Sequence, residues 1–123
     1  MTSAGMTTRR EVLLVEDDAQ TVRALRLILT MHDCDVTVAP TLEQGLDLLR
    51  RNPAIILTDL MLPDGDGIEL LARVREANLP TKVVITTSVG DPARLALVKR
   101  LKPDALLRKP FEPADLLRAM GVA

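Results

Sequence analysis

Five short apolar runs, separated by stretches with helical spacing, constrain this chain more than any other feature. The runs are Val12–Val15, Val36–Ala39, Ala54–Thr58, Lys82–Thr87 and Ala105–Arg108. They are apolar nearly throughout instead of alternating, as expected for strands buried on both faces. Between them, Val22, Leu25 and Leu29 recur three and four residues apart, which draws one apolar stripe along a helix. Leu42, Leu46 and Leu49 do the same, as do Ile68, Leu71 and Val74, and then Leu95, Val98 and Leu101. The punctuation agrees. Thr41 with Gln44 reads as a capping box, and Asp91 before Pro92 as an N-cap with proline at the first helical position. Pro53, Pro80 and Pro103 each stop a helical stretch before the next strand. Five strands alternating with five helices predict an α/β fold of (βα)5 type, a doubly wound parallel sheet with helices on both faces.

At 123 residues there is room for one domain. We expect a flexible tail over residues 1–10 and a folded domain over 11–123. Sixteen basic residues against seventeen acidic give no electrostatic case for nucleic acid, and Phe111 is the one aromatic residue, so stacking platforms are missing too. The longest hydrophobic runs have four residues, far below the roughly 18 of a membrane span, so neither a membrane nor a secretory signal is expected. A single cysteine, Cys34, fits a reducing cytoplasm.

Ligands of such sheets bind outside the carboxyl ends of the strands. There the chain places Glu16-Asp17-Asp18 after the first strand, Asp59 after the third, Thr86-Thr87-Ser88 after the fourth and Lys109-Pro110 after the fifth. Clustered carboxylates repel unless a cation or Lys109 offsets them. Oxygen-only donors suit Mg²⁺, which also binds phosphate. An aspartate is ionised at neutral pH and can attack phosphorus without a general base. Mg²⁺ and an ammonium together can neutralise the oxygens of an incoming phosphoryl group. Asp18 reads as the cap of the first helix, Asp64 and Asp66 as loop and cap residues, and Phe111 as a packing residue. His32 and Cys34 are assigned no metal role. Thr86 and Thr87 alternate along the strand, so one of them faces the rim.

Val15-Glu16-Asp17-Asp18, the run Asp59-Leu60-Met61-Leu62-Pro63-Asp64-Gly65-Asp66-Gly67, Thr87, and Arg108-Lys109-Pro110-Phe111 together resemble the receiver domain of bacterial two-component response regulators. The likeness runs from about Glu11 to Met120, with 28 residues from Asp59 to Thr87 and 22 from Thr87 to Lys109. It implies a flavodoxin-like sheet in the order 2-1-3-4-5. It implies Asp59 as phosphoacceptor, Asp17 as direct Mg²⁺ ligand, Glu16 assisting through water, and the Met61 carbonyl as a further ligand. Lys109 would hold the phosphoryl group, with a cis bond to Pro110, and Thr87 would be the switch hydroxyl. The implied partners are a histidine kinase or phosphotransfer protein as donor, and a downstream effector protein or an output domain. The surface of the fourth helix, fifth strand and fifth helix would respond, and offers a dimer face. No metabolite is turned over, so the chain is a switch and not an enzyme in the ordinary sense.

Where receivers usually carry an aromatic residue three positions before the lysine, this chain has Leu106. Activation is then expected to run through Ser88–Asp91 and the fourth helix. Met61 and Val89, two residues after Asp59 and Thr87, are apolar and cannot orient an attacking water, which predicts a long-lived acyl phosphate. The alternative is a Mg²⁺-dependent aspartyl-phosphate hydrolase. It needs a second aspartate where Met61 stands. A nucleotide or flavin binder needs a phosphate loop where the three consecutive acids lie.

Overall fold

The computed structural model describes residues 9–88 and 90–122. Strand β1 (Arg10–Val15) is followed by α1 (Ala19–Thr30), β2 (Cys34–Ala39) and α2 (Leu42–Leu48), which runs into a 3₁₀ turn at Leu49–Arg51. Then come β3 (Ile55–Asp59), α3 (Ile68–Glu76), β4 (Lys82–Thr87), α4 (Pro92–Arg100), β5 (Ala105–Arg108) and α5 (Pro113–Met120). The five strands pair in parallel, in the order β2-β1-β3-β4-β5, as expected. A two-residue antiparallel ribbon, Met61–Leu62 against Gly65–Asp66, lies between β3 and α3 and was not foreseen.

Alternation along each strand sorts its side chains onto two cores. Leu13, Val15, Ile56, Val83 and Ile85 pack with Leu42 of α2, Leu70, Leu71 and Val74 of α3, and Val98 of α4. Val12, Leu14, Ile55, Leu57 and Val84 pack on the other face with Leu25 and Leu29 of α1 and Leu116 and Met120 of α5. Both faces are covered, which is why the strands read as unbroken apolar runs.

The helix boundaries follow the punctuation. Asp18 accepts from the Thr21 N–H, and Asp91 from the Ala93 N–H with Pro92 behind it. Asn52, Asn78 and Lys102 take positive φ values near 53° after α2, α3 and α4, ahead of the three prolines. Two details differ from expectation. Thr41 accepts from the Gln44 N–H, but its hydroxyl lies 3.3 Å from Gln44 Oε1, so Gln44 answers the hydroxyl and not the backbone. The reciprocal capping box sits on α5, between Glu112 and Asp115.

Arg9 and Arg10, inside the predicted tail of residues 1–10, join the fold. β1 begins at Arg10, and Arg9 donates to Asp35 at 2.7 Å and to the Cys34 carbonyl at 2.9 Å. Arg10 in turn reaches the Gly121 carbonyl beyond α5, at 2.7 Å. The rest of the predicted tail, residues 1–8, lies outside the described residues. No helix among the described residues is long and apolar enough to cross a membrane.

Candidate functional site

Three strand ends bring the rim together. β1 delivers Glu16 and Asp17, β3 delivers Asp59, and the turn after β5 delivers Lys109. Carboxylate oxygens of Glu16, Asp17 and Asp59 lie within 4.8 Å of one another. Lys109 Nζ stands between two of them, 3.3 Å from Asp59 Oδ2 and 3.4 Å from Glu16 Oε1. The Met61 N–H donates to Asp59 Oδ1 at 3.3 Å, which turns the carboxylate so that its second oxygen faces the lysine.

Electrostatics follow from burial. Glu16 is buried, and desolvation pushes its carboxyl above the ordinary range; the Asp18 N–H, donating at 3.1 Å, and the Lys109 charge pull the other way. For Lys109, burial acts to lower the ammonium, but the charges of Asp59 and then Glu16 together outweigh it and hold it above its usual value. Three acids share one ammonium here. That donor set, oxygen-only with surplus negative charge, fits a small hard cation such as Mg²⁺.

Backbone contacts fix Asp59 in place. Its residue faces Thr86 across the β3–β4 ladder, and the next residue, Leu60, donates to the Thr86 carbonyl at 2.9 Å. Gly67 passes so close that a Cβ there would overlap the Asp59 carbonyl oxygen, which excludes any side chain. Thr86 and Thr87 are both buried, and Thr87 ends β4 opposite Arg108, with its carbonyl accepting from the Lys109 N–H at 2.8 Å. The Lys109–Pro110 peptide is cis, as the sequence likeness implied. Met61, in the antiparallel ribbon, is 54% exposed, and Val89 lies outside the described residues.

The chain matches the family model for the response regulator receiver domain over residues 12–121. It belongs to that family. It is 35% identical over 107 residues to the transcriptional regulatory protein CpxR of Escherichia coli, covering 87% of this chain and 46% of CpxR. It is 34% identical over 113 residues to KdpE of the same organism, covering 91% of the chain and 50% of KdpE. The chain therefore spans about half the length of these two regulators. Among solved structures, a CheY-like receiver domain protein from Methanospirillum hungatei superposes with a TM-score of 0.85 at 26% identity, covering 93% of this chain and 92% of that one. The BeF₃-activated receiver domain of Klebsiella pneumoniae RstA gives 0.80 at 28% identity, covering 90% and 95%. Receiver domains are signalling domains, in which phosphorylation on aspartate and binding of Mg²⁺ are general features.

Two carboxylates near the receiver rim do more than the sequence indicated. Asp64 caps a helix other than its own, accepting from the N–H groups of Leu42 and Glu43 at the start of α2, at 2.7 and 3.0 Å. Those N–H groups, Glu43 first and then Leu42, hold its carboxyl below the ordinary range. Asp66 accepts from the Ile68 N–H and also pairs with Arg94 of α4. Leu42, Glu43 and Arg94 lie 21 to 28 residues from these carboxylates, and no local signal announces them.

Proposed function

We propose that Asp59 accepts a phosphoryl group from a phosphohistidine donor, and that the resulting charge change switches the α4–β5–α5 side of this receiver. The observation that carries the proposal is the convergence of three carboxylates and one ammonium around Asp59. An ionised Asp59 oxygen attacks phosphorus in line; as the new P–O bond forms, the P–N bond to the donor breaks and its electron pair leaves on the imidazole nitrogen. Glu16, Asp17, Asp59 and the Met61 carbonyl would hold Mg²⁺, which when bound neutralises phosphoryl oxygens. Lys109, already 3.3 Å from Asp59 Oδ2, exchanges that carboxylate contact for a phosphoryl oxygen. The Thr87 hydroxyl donates to another phosphoryl oxygen and draws the end of β4 inward. The three carboxylates and Lys109 lie together before reaction, and in phosphoryl transfer positioning and charge neutralisation supply most of the acceleration.

The chain catalyses only its own modification and its later hydrolysis. Its donor is a histidine kinase or phosphotransfer protein, and its target is an effector protein or an output domain such as the regulators above carry. The buried free thiol of Cys34 supports a cytoplasmic setting. Incubation with acetyl phosphate and Mg²⁺ followed by intact mass is the test. The chain gains one phosphoryl group, and the gain disappears in Asp59→Asn and without Mg²⁺. Unchanged labelling in Asp59→Asn defeats the assignment.

A further inference from the structure

The loop between β3 and α3 carries Met61 and is held on two flanks. Asp64 ties it to the start of α2. On the opposite flank, Asp66 Oδ2 lies 2.7 Å from the guanidinium of Arg94, in the first turn of α4. These two side chains are 31% and 32% exposed, so water and salt screen them less than a surface pair. Little else fixes α4, whose one buried side chain is Val98. Arg94 Nε is itself buried and, among the described residues, is the side-chain nitrogen left without a hydrogen-bond partner. An unmet buried N–H offsets part of what the ion pair contributes. The pair thus holds α4 without locking it, because displacement of the helix returns that N–H to water.

We propose that the Asp66–Arg94 ion pair couples the loop following Asp59 to α4, with Arg94 as the positioning residue that carries the phosphorylation signal to the α4 surface. The proposal rests on the receiver function given above. It supplies a route where Leu106, an aliphatic side chain packed with the core that contains Val98, offers no polar end to follow Thr87. Any ligand-like change at Asp59 that favours one position of the loop then favours one position of α4, and the reverse holds equally.

The test is hydrogen exchange of the Leu95–Arg100 amides in the full chain, with and without Mg²⁺ and beryllofluoride as phosphoryl mimic. In the natural chain the mimic changes exchange across α4. In Arg94→Gln, exchange there rises about tenfold without the mimic, and the response to the mimic shrinks by a similar factor. Asp66→Asn, whose amide oxygen still accepts from the Ile68 N–H, gives the same result. The double variant is no worse than either single one, as expected for two ends of one contact. An undiminished response in Arg94→Gln with the mimic bound overturns the coupling alone, and so do additive single effects. Failure of the natural chain to bind beryllofluoride, read by ¹⁹F NMR, overturns the receiver function and the coupling with it.

Discussion

Helices α3 and α4 are each nine residues long and pack on the same face of the sheet, yet they are attached differently. α3 buries Leu70, Leu71 and Val74, whereas α4 buries Val98 and leaves Leu97 49% exposed. At roughly 1.5–3 kcal/mol for each fully buried aliphatic side chain, α3 is held two to three times more strongly. The loop that follows Asp59 runs into α3 at one end and is tied to α4 by the Asp66–Arg94 pair. One flank is therefore a fixed wall, against which charges can be set in advance, and the other is an element that a small change in charge can move.

The sharpest way to break this contrast is to truncate one anchor on each helix. Leu71→Ala should cost about 2–5 kcal/mol of global stability in urea unfolding. Val98→Ala should cost about 1.6 kcal/mol, for two methyl groups at ~0.8 each, and should raise exchange mainly within α4. Equal global losses would show that α4 is not the weaker flank.

A second prediction concerns the lifetime of the proposed acyl phosphate. Met61→Asn combined with Val89→Glu replaces two apolar side chains by polar groups able to hydrogen-bond water. Hydrolysis of the acyl phosphate, followed by loss of phosphoprotein mass, should then quicken about tenfold, below the range of a well-placed general base. An unchanged rate would mean that these two positions do not govern the lifetime.

The smallest expected effect concerns the tie between the loop after Asp59 and α2. Asp64 has its carboxyl held below the ordinary value of 3.8 by the Glu43 and Leu42 N–H groups. Its ionised form therefore stabilises the fold at pH above that value, and the contribution is lost as pH falls through the lowered one. Asp64→Asn should lessen the loss of stability below about pH 4, measured by circular dichroism during acid unfolding. An acid limb identical to that of the natural chain would remove Asp64 from the account of the loop.

Much of this was legible in the sequence, for a physical reason. β1 and β3 are buried on both faces, so Val12–Val15 and Ile55–Leu57 had to be apolar, and the acids that follow them had to emerge at the rim. Asp18 and Asp91 cap within three residues of themselves, which makes local spacing sufficient. Asp64 and Arg94 were not legible as contacts, since their partners lie 21 to 28 residues away and are set by tertiary packing alone. Thr41 and Gln44 carry the usual capping pattern, which threonine leads, while the reciprocal form at Glu112 and Asp115 uses two carboxylates. α4 carries the same apolar stripe as its neighbours, but Leu95 and Leu101 are only half-buried, and periodicity cannot report how closely a helix docks.

The most direct measurement is to locate the modified residue. After treatment with acetyl phosphate and Mg²⁺, borohydride reduces an acyl phosphate on aspartate to homoserine, which peptide mass identifies. Homoserine at position 59 and nowhere else is the predicted result. Its appearance at Glu16 or Asp17 as the corresponding alcohol, or modification of Asp59 that is indifferent to Mg²⁺ and to Lys109→Ala, would contradict the account.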